Sequence, residues 1–249
     1  ERYPNGSIRI ERQVALDAEG NYVNHGTYAE YAANGKLLRS GEYRHGKQNG
    51  KWLQYFEDGR GLLFSGKVEH QFVGPFVSEA TFADGILHGS WTIKSHNSKV
   101  LDWSFDRGIR SGRSTWWYPN GQKRLDVMYR NGMMDGELLE WNPEGKLIGR
   151  VPFIEGRRLV KKVEWFAPGQ KSYEGYYLAA QEVVEPNYDW WNTAAKATPV
   201  AKIGRDQKHG AWTAWYANGK KRIEAQYERD VPVGKFTWWY ENGQKQAEG

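Results

Sequence analysis

The six histidines are the first residues in this sequence whose type could support acid–base or metal chemistry. His25, His45, His88 and His209 each stand directly before a glycine, where a polar turn residue is the ordinary explanation, and His70 and His96 are isolated. Carboxylates such as Asp102, Asp106 and Asp126 could pair across strands as an acid and a base, although a salt bridge to a nearby Arg or Lys competes with that reading. No HExxH, GxSxG, Walker loop or EF-hand pattern occurs, and the many Gly-x-x-Gly matches come from repeated turns. With no cysteine, thiolate catalysis and cysteine-based metal sites are excluded. The sequon Asn5-Gly6-Ser7 falls in a turn and reads as coincidence. No catalytic residue, metal ligand set or cofactor is expected, and an enzyme is the least favoured class.

What remains is contact chemistry, and it is periodic. Glycines recur in steps of 24 residues from Gly26 to Gly50 and Gly74, from Gly112 to Gly136, and from Gly210 to Gly234. A second glycine follows nine positions on, at Gly35, Gly59, Gly121, Gly145, Gly219 and Gly243, with Gly169 matching a unit that opens at Val160. Between the two lies an aromatic run, as in GRSTWWYPNG at 112–121 and GAWTAWYANG at 210–219, and position seventeen carries a further aromatic at Tyr43, Tyr129, Phe153, Tyr177 and Tyr227. Asn or Asp precedes the internal glycine at Asn34, Asp58, Asn120, Asn218 and Asn242, and at Asn5 and Asp84 in irregular units. Such pairs accept the positive φ angles of a two-residue hairpin turn, so each unit reads as a hairpin. The expected fold is all-β: an elongated antiparallel β-meander of about ten stacked hairpins of 24 residues, forming a single repeat domain over 1–249. Its units open near 26, 50, 74, 89, 112, 136, 160, 186, 210 and 234, with an irregular segment at 178–199; the unit opening at Pro186 places Ile203 at position seventeen.

The form GxWxxWYxNGxxxxxxxYxxGxxxG resembles the MORN repeat, in particular the bacterial variant grouped with YwqK-type antitoxins. The best matches are GAWTAWYANGKKRIEAQYERDVPVG at 210–234 and GKFTWWYENGQK at 234–245, while Val160, Pro186 and Ala195 depart from the pattern. The resemblance implies stacked hairpins and a binding role toward protein or membrane, with no chemistry of its own.

Side chains alternate faces along a strand, so positions two and six point one way and position five the other, provided no bulge intervenes. Position five reads Tyr31, Tyr55, Trp117, Trp141, Trp165, Trp191, Trp215 and Trp239. This column either stacks on itself to hold the repeats together or forms an extended groove for a protein segment. Basic residues follow the hairpin turns, among them Lys36, Arg60, Lys123, Arg124, Lys220, Lys221 and Arg222. They are either a solvated edge that prevents sheet pairing or a ridge toward an acidic partner, anionic head groups or a cell-wall polymer.

The first functional expectation is therefore a protein-binding scaffold, with a toxin as the partner that the antitoxin grouping implies. The second is an envelope or surface protein that binds anionic lipid or glycan. A net charge of +5, glutamates recurring beyond the lysines, and the lack of a recognised motif argue against nucleic acid. Thirteen Trp and 15 Tyr argue against disorder, and with mean hydropathy at −0.82 no long apolar run spans a membrane. The sequence begins at Glu1 without methionine; a leader removed on export or proteolysis would account for that, and an exported location is favoured over a cytoplasmic one.

Overall fold

The computed structural model describes residues 1–57, 72–183 and 201–249. Asp58, Gly59, Arg60, His70, Pro186, Trp191 and Ala195, which entered the sequence reading, lie outside the described residues. Every regular element among the described residues is a strand: β1 (Ile10–Leu16), β2 (Tyr22–Tyr31), β3 (Leu37–Arg44), β4 (Lys47–Phe56), β5 (Phe76–Ala83), β6 (Ile86–Ser95), β7 (Ser98–Asp106), β8 (Ile109–Arg110), β9 (Gly112–Trp117), β10 (Lys123–Arg130) and β11 (Met133–Met134). There follow β12 (Gly136–Trp141), β13 (Leu147–Ile154), β14 (Arg157–Ala167), β15 (Gln170–Leu178), β16 (Gln181–Val183), β17 (Ala201–Ile203), β18 (Gln207–Trp215), β19 (Lys221–Glu228), β20 (Val231–Pro232), β21 (Thr237–Trp239) and β22 (Lys245–Glu248). The protein is an all-β antiparallel meander of hairpins, as expected.

The chain forms two compact units. In the first, built mainly from Glu1–Met133 and Leu138–Arg150, the ladder runs β1, β2, β3, β4, β5, β6, β7, β9, β10, β12, each strand antiparallel to the next. In the second, which includes Val151–Pro186 and Thr198–Gly249, the ladder runs β14, β15, β18, β19, β21, β22, and the end of β13 joins it through Phe153 and Arg158.

Two expected repeats dissolve in this topology. β5 is the return strand of the unit opening at Gly50, pairing Phe56 with Phe76, so Gly74 opens no unit of its own; its 24-residue spacing comes from the length of the intervening segment. Likewise β15 pairs directly with β18, Tyr173 opposite Ala214, while most of the unit expected to open at Pro186 lies outside the described residues. Ile203 instead belongs to the separate pair β16–β17.

The turns also differ from expectation. At Asn34-Gly35 only the glycine has positive φ, at 81°. The Ala32 N–H donates to the Lys36 carbonyl and the Gly35 N–H to the Ala32 carbonyl, both at 2.8 Å. This is a three-residue loop, a type I turn closed by a left-handed glycine, and it recurs at Gly121, Gly145, Gly219 and Gly243. Asparagine stays right-handed because its own Oδ1 accepts the N–H two residues on, at Lys36, Gln122, Lys220 and Gln244. Two-residue turns with both φ positive occur instead between repeats, at His45-Gly46, Arg107-Gly108 and Asn131-Gly132, and at the anticipated Asp84-Gly85.

The first strand of each hairpin is unbulged from position two to position five, so those positions do face opposite sides. The irregularity falls in the return strand, where Leu38, Arg124, Ser172, Arg222 and Gln246 are each the extra residue that the register skips. The position-two face of the first unit is its core, with Tyr28, Trp52, Phe76, Trp91, Ile93, Leu101 and Phe105 buried. Trp52 lies flat over Gly41, where a Cβ would come within 2.4 Å of the indole, and Trp212 covers Gly175 in the second unit in the same way, at 2.2 Å. Each indole N–H reaches the carbonyl one residue beyond that glycine, Glu42 at 3.0 Å and Tyr176 at 3.3 Å.

Neighbouring hairpins are also latched through their turns. The hydroxyls of Tyr3, Tyr118 and Tyr216 donate to the carbonyls of Tyr31, Trp141 and Trp239, the position-five residues of the next repeat, at 2.8–2.9 Å. Beside them, Asn5, Asn120 and Asn218 donate from Nδ2 to the carbonyls of Ala33, Pro143 and Glu241.

Candidate functional site

In each unit the face opposite position two carries that unit's position-five residues, and the bulge determines what surrounds them. On a regular strand, residues three apart point to opposite sides. The extra residue at position twelve turns positions eleven and fourteen to the same side, and the sequence places lysine and a carboxylate there. Lys123 pairs with Asp126 at 2.9 Å, Lys171 with Glu174 at 2.6 Å and Lys221 with Glu224 at 2.6 Å; Lys245 and Glu248 repeat the pair, as do Lys99 and Asp102 at 2.8 Å. A second cation from position one joins several acids: Arg113 at Asp126, Lys161 at Glu174 and Lys235 at Glu248. Thr115 donates its hydroxyl to Asp126, whose side chain is only 9% exposed.

The same lysines lie over the aromatic column. Lys99 sits 5.1 Å from the centre of the Trp117 ring, Lys123 5.8 Å from Trp141, Lys171 5.6 Å from Trp215 and Lys221 5.9 Å from Trp239. Each repeat thus lends its lysine to the tryptophan of a neighbouring repeat while the bulge holds that lysine on its own acid. Trp117, Trp141, Trp215 and Trp239 are half-buried, as are Tyr31 and Tyr55, whose cross-strand neighbours are Leu37 and Val77. Trp165 is 50% exposed.

Electrostatically the surface is a chain of satisfied pairs. The Lys171 ammonium, aided by Lys161, holds the Glu174 carboxyl below the usual carboxylate range, and Lys235 with Lys245 does the same for Glu248. The expected basic ridge is accordingly divided among different tasks. Lys123 and Lys221 belong to ion pairs, and Lys220 donates to the Asn242 carbonyl at 2.5 Å. Arg124 and Arg222 are bulge residues, the first half-buried and the second exposed.

The candidate acid–base residues are brought into salt bridges. Asp102 and Asp126 face lysines, and Asp106 faces His88 Nδ1 at 3.3 Å and Arg107. His25 Nδ1 accepts the backbone N–H of His45, a turn contact. Among the described residues no group of three metal-ligating side chains converges, and no helix is long and apolar enough to cross a membrane.

Sequence reasoning missed the lysine–acid pairing, although its signal was present: Lys123 and Asp126, Lys171 and Glu174, Lys221 and Glu224 share one spacing. It also missed Lys208, which stands on the other face beside Trp212.

No curated protein matches this chain. Among solved structures, a porin-like protein from Bacteroides uniformis aligns over 95% of this chain and 92% of its own at 13% identity, with a TM-score of 0.22. The hairpin geometry and its glycine and aromatic spacing coincide with a known sequence family at four places: residues 24–45, 110–131, 208–229 and 232–249 match the MORN repeat variant family.

Proposed function

We propose that the chain is a non-enzymatic scaffold that holds a protein partner against its aromatic sheet surface. The observation that carries this reading is the half-exposed position-five column with its lysines already neutralised. An array of rings interleaved with balanced charge offers apolar contact area and hydrogen-bonding groups without a strong field of one sign, as protein interfaces do. Anionic lipid or glycan, the alternative, would draw on free cations, and at Lys99, Lys123, Lys171, Lys221 and Lys245 the ammonium is paired with an acid three residues on. A toxin is one form of protein partner; it rests on the resemblance of the repeat to the antitoxin-associated group, and rescue of growth on co-expression with the toxin would be its sign.

The test is affinity capture from the native source with the full chain, followed by quantification of bound protein. A partner in stoichiometric amount that survives moderate salt is the expected result. Binding only to anionic vesicles or glycan, lost as salt rises, would replace this reading with the alternative. Trp165→Ala should weaken capture several-fold while shifting stability by less than about 1 kcal/mol, because the ring is half solvent-exposed.

A further inference from the structure

Position two of the second unit carries large rings, as it does in the first, and the two units treat them differently. Tyr28, Trp52 and Trp91 are buried, whereas Trp212 and Phe236 are half-exposed. Around these two, the rings of Tyr173, Tyr177, Tyr227 and Trp238 complete a continuous run of contacts. Tyr173 stacks on Trp212 at 4.9 Å, Tyr177 meets Trp212 edge-on at 5.3 Å, Tyr227 joins Phe236 at 5.6 Å and Phe236 joins Trp238 at 5.6 Å. All are half-buried.

Lys208 lies in this run, its Nζ 4.3 Å from the centre of Trp212 and 4.8 Å from that of Tyr227. Among the described residues every other lysine seated over a ring has a carboxylate: Lys99 has Asp102, Lys123 has Asp126, Lys161 and Lys171 share Glu174, Lys162 has Asp206 and Lys221 has Glu224. The Lys208 ammonium has none among the described residues; Asp230 is occupied by the Lys208 backbone N–H and by Arg205. A half-buried cation between two rings, without the acid that its counterparts possess, is a position built for an anion from outside.

We propose that this face of the second unit binds an extended segment of a protein partner, in which a carboxylate set between apolar side chains reaches Lys208 while its neighbours lie along the ring run. The inference rests on the protein-partner reading above and names the chemistry of that partner. A lone cation decides among occupants: one basic residue contributes about 1 kcal/mol toward an anionic bilayer, too little to anchor the chain. A nucleic-acid backbone needs a row of cations along its track, and the other lysine of this face, Lys162, is committed to Asp206. A second copy of the chain would bring to a two-fold interface the same cation rather than the missing acid.

The experiment uses the full chain, its Lys208→Met variant, which keeps the packed stem, and Lys47→Met as a control at an exposed lysine of the first unit, all checked for folding by circular dichroism. Fluorescence polarisation follows a labelled short peptide in which Asp alternates with Val and Phe, and a twin with Asn replacing Asp. The Asp peptide should bind the wild-type chain about tenfold more tightly than the twin, a difference that Lys208→Met removes and Lys47→Met retains. Equal binding of the two peptides, or a difference that persists in Lys208→Met, overturns the proposal. So does Lys208-dependent binding to phosphatidylserine vesicles or single-stranded DNA that exceeds binding of the Asp peptide, or self-association lost in Lys208→Met. If the full chain captures a protein that Lys208→Met captures equally well, the scaffold reading stands and this site falls; if it captures none, the scaffold reading itself falls.

Discussion

Asn218 uses both ends of its amide. Oδ1 accepts the Lys220 N–H within its own loop, and Nδ2 donates to Glu241 in the next repeat. Aspartate could perform the first task alone, and it would set a negative oxygen against a carbonyl. Asn218→Asp should therefore lower stability by about 1–2 kcal/mol, read as a fall in melting temperature, although the turn chemistry is formally conserved. Close packing sets a second constraint at Gly175, where an added methyl would meet the Trp212 indole at 2.2 Å. Gly175→Ala should cost about 1–3 kcal/mol, and red-shifted tryptophan emission would report displacement of the ring.

At the scale of the strand pair, the bulge controls the chemistry of the surface. Deleting Arg222 would restore alternation in β19 and, because Lys221 and Glu224 would then stand two apart, leave them on the same side. We expect that deletion to keep the ion pair and the cooperative unfolding of the second unit in urea, and Arg222→Ala, which keeps the spacing, to shift stability by no more than about 0.5 kcal/mol. The sequence made the hairpins and their two-sided aromatic pattern legible because glycine, Asn-Gly and Trp recur at fixed offsets. It did not expose the bulge, since the extra residue has no preferred type: Leu38, Arg124, Ser172, Arg222 and Gln246 share only a position. For the same reason Gly74 passed as the start of a repeat, because spacing alone cannot tell a strand that opens a hairpin from one that closes it. Lys208 was illegible for a further reason. Its distinction is the lack of an acid in space, and local spacing encodes only the partners a residue has nearby in the chain.

Over the molecule as a whole, the lysine–acid pairs make stability depend on pH in a direction that can be worked out. Glu174 is held low by Lys171 and Lys161, and Asp206 by Lys162 and the Ala180 N–H. A carboxyl with a depressed folded pKa takes up its proton at lower pH when folded than when unfolded. Its contribution is complete above the ordinary carboxylate pKa and disappears as pH falls through the depressed value. The melting temperature should be level above about pH 5 and decline progressively below about pH 4.5. Because these groups are largely solvent-exposed, about 1 M salt should flatten that decline.

The turn latches have one more implication, for how such a chain can change over time. Tyr118 and Asn120, like Tyr216 and Asn218, grip main-chain oxygens, and the residues that supply those oxygens include Trp141, Pro143, Trp239 and Glu241. Since the grip ignores the recipient's side chain, a hairpin keeping its own Tyr and Asn can be duplicated, swapped or moved beside an unrelated sibling without renegotiating the joint. Mutation is left free to rewrite the outward-facing residues one hairpin at a time.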